Sequence, residues 1–180
     1  MPVWREADEA DREFFQQLDA WLCGWLHATE GLDVGQLLAL VDMQSRAREQ
    51  AYRSAWPQAR CLVVEQEEAG TPQPVGRIWY CHTANALHLI DISLLPKHQR
   101  RGLGGACMEQ LIGEAAAAGL AVTLHVAEDN PAHRLYSRLG FRCVEHKPPY
   151  LQLRLDTSPM LERTGAESRV PGAPALHSKE

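Results

Sequence analysis

The spacing of apolar residues changes period along the chain. In the first third they recur every three or four positions, and Phe14, Phe15, Leu18, Trp21, Leu22, Trp25 and Leu26 form one stripe. Asp8 or Asp11 stands where a cap for that helix belongs. The stripe is wider than a buried face requires, so it supplies core with a remainder that can line a groove. A second helix follows Gly31, with Asp33 as its cap, Leu37, Leu40, Val41 and Gln44 on one face, and an end before Pro57. Residues 3–5 are a short strand ahead of both.

From Arg60 the pattern is that of strands. Residues 61–64 are a short apolar run, and residues 67–74, which include Gly70, Pro72 and Pro74, read as a turn. Residues 75–82 and 86–95 follow as two strands joined by a polar turn at 83–85, and the three pair as an antiparallel meander. Pro96 closes the third. Past Gly102, Leu103, Cys107, Met108, Leu111, Ile112 and Ala115 share one face of a helix that ends near Gly119. Residues 120–126 are then a buried strand. The order strand, glycine turn, helix, strand is a βαβ unit with a right-handed crossover and parallel strands. A short helix, capped by Asn130 with Pro131 at its first position, stops at Gly140, and strands over 142–145 and 150–155 complete a mixed sheet. Residues 1–155 thus form one α/β (α+β) domain. Residues 156–180, with Pro159, Gly165, Pro171, Gly172 and Pro174, hold too few apolar residues to offset their ordering entropy and read as a flexible tail.

Composition narrows the class. Hydrophobic residues make up 45% and charged residues 23% of the chain, as in an ordinary soluble globular protein. A net charge of −5 provides no positive field for a nucleic-acid backbone, so no nucleic-acid partner is expected. The five cysteines are odd in number and form no C-x-x-C pair, which argues against a disulfide framework or zinc ribbon and for a reducing cytoplasm. The N-terminus lacks a basic segment followed by an apolar one, and no stretch nears the roughly 20 apolar residues of a membrane span. No metal is expected, because the histidines and cysteines are irregularly spaced.

The chemistry concentrates between Pro96 and Gly105. Gly102, Gly104 and Gly105 remove side chains that would keep an anion from the backbone, and the helix start adds unpaired N–H groups and a positive dipole end. Arg100 and Arg101 add charge. A tight turn with glycines used for packing is the plainer reading of the same residues. A P-loop is excluded because no Gly-Lys-Ser/Thr follows, and a dinucleotide fingerprint because Cys107 stands at its third glycine.

The segment Gln99-Arg100-Arg101-Gly102-Leu103-Gly104 has the form Q-x-x-G-x-G and resembles the coenzyme A signature of the GNAT-family N-acetyltransferases. Asn130, Tyr136, Gly140 and Phe141 match the family's second block, with Arg134 where a small residue is frequent. The two blocks cover about residues 75–155. The resemblance implies a GNAT-like, mostly antiparallel sheet of about seven strands, with the coenzyme loop on the crossover and the two parallel strands splayed apart. It implies acetyl-CoA as co-substrate, its pantetheine arm against Ile92, Ser93 and Leu94 and its pyrophosphate on Arg100, Arg101, Gly102, Leu103, Gly104 and Gly105, with Asn130 and Tyr136 completing the coenzyme site. The acceptor is then an amine of a small molecule or a protein, attacked directly, in a monomer or homodimer.

An alkyl amine is neutral in only about one molecule per thousand at pH 7, so a base is needed. His125 is one candidate and a merely hydrogen-bonded strand histidine the alternative; His88 is a weaker candidate. Asp91, a carboxylate in an apolar run, is the base, an orienter of the site or a buried structural group. Tyr136 is the donor to the departing thiolate or a core tyrosine. A binding module that keeps the acyl-coenzyme pocket without turnover, and contacts a partner protein, competes with the enzyme reading.

Overall fold

The structure, a computed structural model, describes residues 2–22 and 33–157. The expectations at Trp25, Leu26 and Gly31, and for the tail beyond residue 157, lie outside those residues. Within them the chain forms β1 (Val3–Glu6), α1 (Arg12–Leu22), α2 (Val34–Ala55), β2 (Arg60–Glu68), β3 (Thr71–His82), β4 (Ala86–Leu94), α3 (Leu103–Ala117), β5 (Ala121–Ala127), α4 (His133–Arg138), β6 (Arg142–Lys147) and β7 (Tyr150–Leu155). The strands make a seven-stranded sheet in the order β1-β2-β3-β4-β5-β7-β6, in which β4 and β5 run parallel and the other neighbours antiparallel.

Strand alternation sorts the core onto two faces. Leu62, Ile78, Tyr80, Leu87 and Leu89 pack with Leu103, Cys107, Met108 and Leu111 of α3 and with Leu135 and Tyr136 of α4. Cys61, Trp79, Cys81 and Ile90 face the other way, against Phe15 of α1, Tyr52 of α2 and Trp56 just past its end. Asp33 caps α2 as expected, its side chain accepting from the Gln36 N–H while the Gln36 side chain accepts from the Asp33 N–H.

Three sequence expectations need correction. The supposed turn over 67–74 is a tight hairpin at Ala69 and Gly70, both at positive φ, and the strands run through Pro72 and Pro74. Both prolines lie beyond the last pairing of β3 with β4 at Gly76, so their missing N–H groups leave no ladder bond unmade. Gln44 is exposed; the inward row of α2 runs through Val41, Ser45, Arg48 and Tyr52. Asn130 and Pro131 belong to a turn, and α4 begins only at His133. Asn130 still caps that turn, its Oδ1 accepting from the Ala132 N–H at 2.8 Å.

Candidate functional site

The parallel contact between β4 and β5 covers only Ala86–Leu89 against Ala121–Leu124. Its end coincides with an irregularity on the other side of β4, where Trp79 pairs with Asp91 and Tyr80 with Leu89, leaving Ile90 as the extra residue. A bulge bends its strand. Beyond it β4 stays with β3, while His125, Val126 and Ala127 stay with β7, so a gap opens between the two strands.

Backbone groups of β4 face that gap. The Leu95 N–H donates to the Val75 carbonyl at 2.9 Å, so by alternation the backbone of Ser93 also turns to β3 and those of Ile92 and Leu94 turn to the gap. The Leu94 carbonyl accepts from Gln99 Nε2 at 2.8 Å. Gly76 lets β3 approach this edge closely: a Cβ there would lie 2.4 Å from the Ser93 carbonyl oxygen.

The chain leaves β4 through a 3₁₀ turn, Pro96–His98, and turns sharply into α3. Arg100 has φ +54° and Gly102 φ +84°, the left-handed region that glycine adopts freely and arginine at a cost. Gly102 is the N-cap of α3, no side chain caps the helix, and its first turn holds no acidic residue. The first N–H groups of a 15-residue helix are therefore offered, with the positive dipole end, beside the exposed Arg100 and Arg101. Leu103 and Gly104 are buried and Gly105 half-buried.

The candidate acid and base stand on opposite faces of the sheet. Tyr136 lies on the α3 side, buried, its ring edge-on to Phe141 at 5.7 Å. Asn130 is at the mouth of the turn leaving β5. His125 is on the α2 side, one residue past the last β4–β5 pair, half-buried, with its ring edge-on to His88 at 5.2 Å. His88 stacks on Trp56 at 4.6 Å and places Nδ1 2.9 Å from Thr123 Oγ1. Burial, with the neighbouring His125 adding to it, pushes His88 down to about 3. Burial also lowers His125; Glu145 opposes the shift and Lys147 adds to it. The His125 ring is thus neutral at pH 7, and its Nδ1 is buried without a hydrogen-bond partner among the described residues.

Asp91 is 2% exposed and fully engaged: its carboxylate accepts from Arg77 Nε at 3.2 Å and from Ser93 Oγ at 3.0 and 3.1 Å. Arg77, itself 5% exposed, also donates to Asp19 on α1 at 2.7 and 3.2 Å. Asp19 further accepts from Arg48 at 2.6 Å and from Ser45. Sequence reasoning missed Arg77 as the partner Asp91 demands. The available signal was a lone cation in the apolar run of 75–82. Among the described residues no group of three or more His, Cys, Asp or Glu side chains could hold a metal ion, and no helix is long and apolar enough to cross a membrane.

The family described as acetyltransferase (GNAT) matches residues 7–141 of the chain. No curated protein sequence matches it. Among solved structures, the PaiA N-acetyltransferase of Thermoplasma acidophilum in complex with coenzyme A superposes with a TM-score of 0.61 at 14% identity, over 87% of this chain and 99% of that one. The ribosomal-protein-S18-alanine N-acetyltransferase of Escherichia coli gives a TM-score of 0.58 at 17% identity, over 92% of this chain and 100% of that one. YncA of Salmonella typhimurium, with acetyl-CoA, gives 0.51 at 21% identity, over 92% of this chain and 99% of that one.

Proposed function

Because the chain belongs to the GNAT acetyltransferase family, we propose that it transfers an acetyl group from acetyl-CoA to a primary amine of a small molecule or a protein. The observation that carries this reading is the uncapped start of α3 at Gly102 beside the gap between β4 and β5. Orphan N–H groups at a helix N-terminus suit a pyrophosphate, and an unpaired strand edge suits the amide-bearing pantetheine arm. The coenzyme-bound structures of similar fold support the same assignment.

In this reading the pyrophosphate lies on Arg100, Arg101, Gly102, Leu103, Gly104 and Gly105. The pantetheine amides pair with Ile92 and Leu94; the backbone of Ser93 is turned away, and its hydroxyl steadies Asp91. Asn130 shapes the turn that bounds the site. The gap holds the thioester so that an amine on the α2 side can reach its carbonyl carbon, and alignment supplies much of the rate. His125 takes the proton from the incoming ammonium. The amine nitrogen forms the new C–N bond, the C–S bond breaks, Tyr136 O–H gives its proton to the departing thiolate, and the proton lost from the new amide nitrogen restores the tyrosine. Asp91, committed to Arg77 and Ser93, serves the scaffold. The domain comprises residues 1–155 and acts as a monomer or homodimer in the cytoplasm.

Purified protein incubated with acetyl-CoA and a panel of amines is expected to release free coenzyme A thiol with at least one acceptor. Tight coenzyme binding with no release across the panel would replace the enzyme with a silent acyl-CoA-binding module. In the active protein, Tyr136→Phe and His125→Gln are each expected to lower kcat about 10²-fold or more with little change in coenzyme affinity. Parental activity should also fall as pH drops through the His125 titration, since the protonated ring accepts nothing, and that acid limb should vanish in His125→Gln. A variant with parental kcat loses its assigned role.

A further inference from the structure

The hairpin joining β2 to β3 extends beyond the rest of the sheet. Pairing of β1 with β2 stops at Val3 and Glu65, and pairing of β3 with β4 stops at Gly76 and Leu94. Gln66, Glu67 and Glu68 pair only with Thr71, Pro72 and Gln73, forming a two-stranded arm that is exposed along both strands. Such a ribbon has little stability of its own. An irregularity between Val64 and Glu65 marks where the arm leaves the sheet, and bulges re-aim strands.

The arm reaches the turn that leads into the glycine loop. His98 is 5% exposed although it sits in a loop of exposed residues, and its Nδ1 lies 3.2 Å from Gln66 Oε1. An amide oxygen only accepts, so Nδ1 carries the proton and donates. Nε2 of the same ring is buried and makes no hydrogen bond among the described residues, and the Glu68 carboxylate 3.3 Å away is engaged by Lys97 Nζ at 3.4 Å. Gln66 and Glu68 are two residues apart and so share one side of the strand. Two residues after His98, Arg100 holds its left-handed backbone, a conformation that persists only where the surroundings enforce it. From the other side Gln99 ties the same segment to Leu94.

We infer that the β2–β3 arm is a clamp: Gln66 fixes His98 through Nδ1 and thereby holds residues 99–105 in the conformation that receives the coenzyme. Gln66 and His98 are positioning residues for coenzyme affinity, touching no reacting atom. The inference rests on the coenzyme reading of the glycine loop, and the two can fail separately.

The test is calorimetric titration of the full chain with coenzyme A, alongside the melting temperature without ligand. Gln66→Leu and His98→Leu are expected to raise Kd about tenfold, the scale of one lost hydrogen bond, with the melting temperature of Gln66→Leu unchanged. His98→Asn, whose side-chain N–H₂ replaces the Nδ1 donor, should restore most of the affinity. At saturating acetyl-CoA the kcat of Gln66→Leu should equal the parent's, the deficit appearing only in KM for the coenzyme. A parent that binds coenzyme A while Gln66→Leu and His98→Leu bind equally well overturns the clamp, as does His98→Asn binding no better than His98→Leu. A parent that binds no coenzyme A overturns the reading of the loop, and the clamp with it.

Discussion

Arg77→Met lowers the unfolding free energy by about 3–5 kcal/mol, because it removes the cation between two buried carboxylates and leaves both charges inside. Against a typical total of about 5–15 kcal/mol this is a large share. Asp91 then keeps only Ser93, while Asp19 keeps Arg48 and Ser45. The pH dependence identifies the cause. Burial by itself would raise the Asp19 carboxyl, but Arg77, Arg48 and Ser45 together outweigh it and hold the group below its ordinary range. A depressed carboxyl contributes stability above its unfolded pKa of about 3.9 and loses it as pH falls through the lower folded value. The gap between parent and Arg77→Met should therefore be widest near neutrality and narrow below about pH 4, as the Asp19 carboxyl takes up its proton. Urea unfolding at pH 7 and at acid pH measures both quantities. A loss under about 1 kcal/mol at pH 7 would mean that the two carboxylates find other partners at little cost.

Gly104→Val eliminates coenzyme binding while the chain still folds. Valine is no worse a helix former than glycine, so α3 itself is not penalised. Its branched side chain, however, would project in the first turn, where the pyrophosphate must approach the backbone. Thermal unfolding with and without coenzyme A reads the effect. Ligand at a hundred times its Kd adds about 2.7 kcal/mol to the parent, a shift of roughly 5–11 °C for a domain near 150 residues. The variant should show no shift, with its ligand-free transition still cooperative. An undiminished shift would move the anion away from the helix start.

The two experiments probe different parts of one arrangement. The Arg77 network ties α1 to β3 and to β4, and β4 carries the edge at Ile92 and Leu94. Loss of that cation therefore loosens the strand the pantetheine arm would pair with. Gly104 acts only at the far end of the same strand–loop–helix unit.

Local sequence already determined most of the element order, since apolar spacing of three to four or of two needs no knowledge of distant residues. Asp33 announces its helix, Pro96 ends β4, and Gln99, Gly102 and Gly104 mark the loop, because caps, ring closure and positive φ are properties of one residue and its neighbours. The prolines at 72 and 74 misled for the same reason: proline forbids a ladder bond, but whether a ladder bond was due depends on where β4 stops. Asn130 stops short of α4 because the chain first completes a turn on Ala127.

Only the tertiary structure decided what depends on register. The extra residue at Ile90 opens the gap, and nothing in the composition of 86–94 distinguishes it from its neighbours. Asp19 and Arg77 meet across 58 positions of sequence, and His98 meets Gln66 across 32. The pairing of His88 with His125 and Trp56 likewise follows from strand alignment and helix packing. Such contacts join elements whose placement is set by the whole core, so a window of sequence around either partner carries no trace of the other.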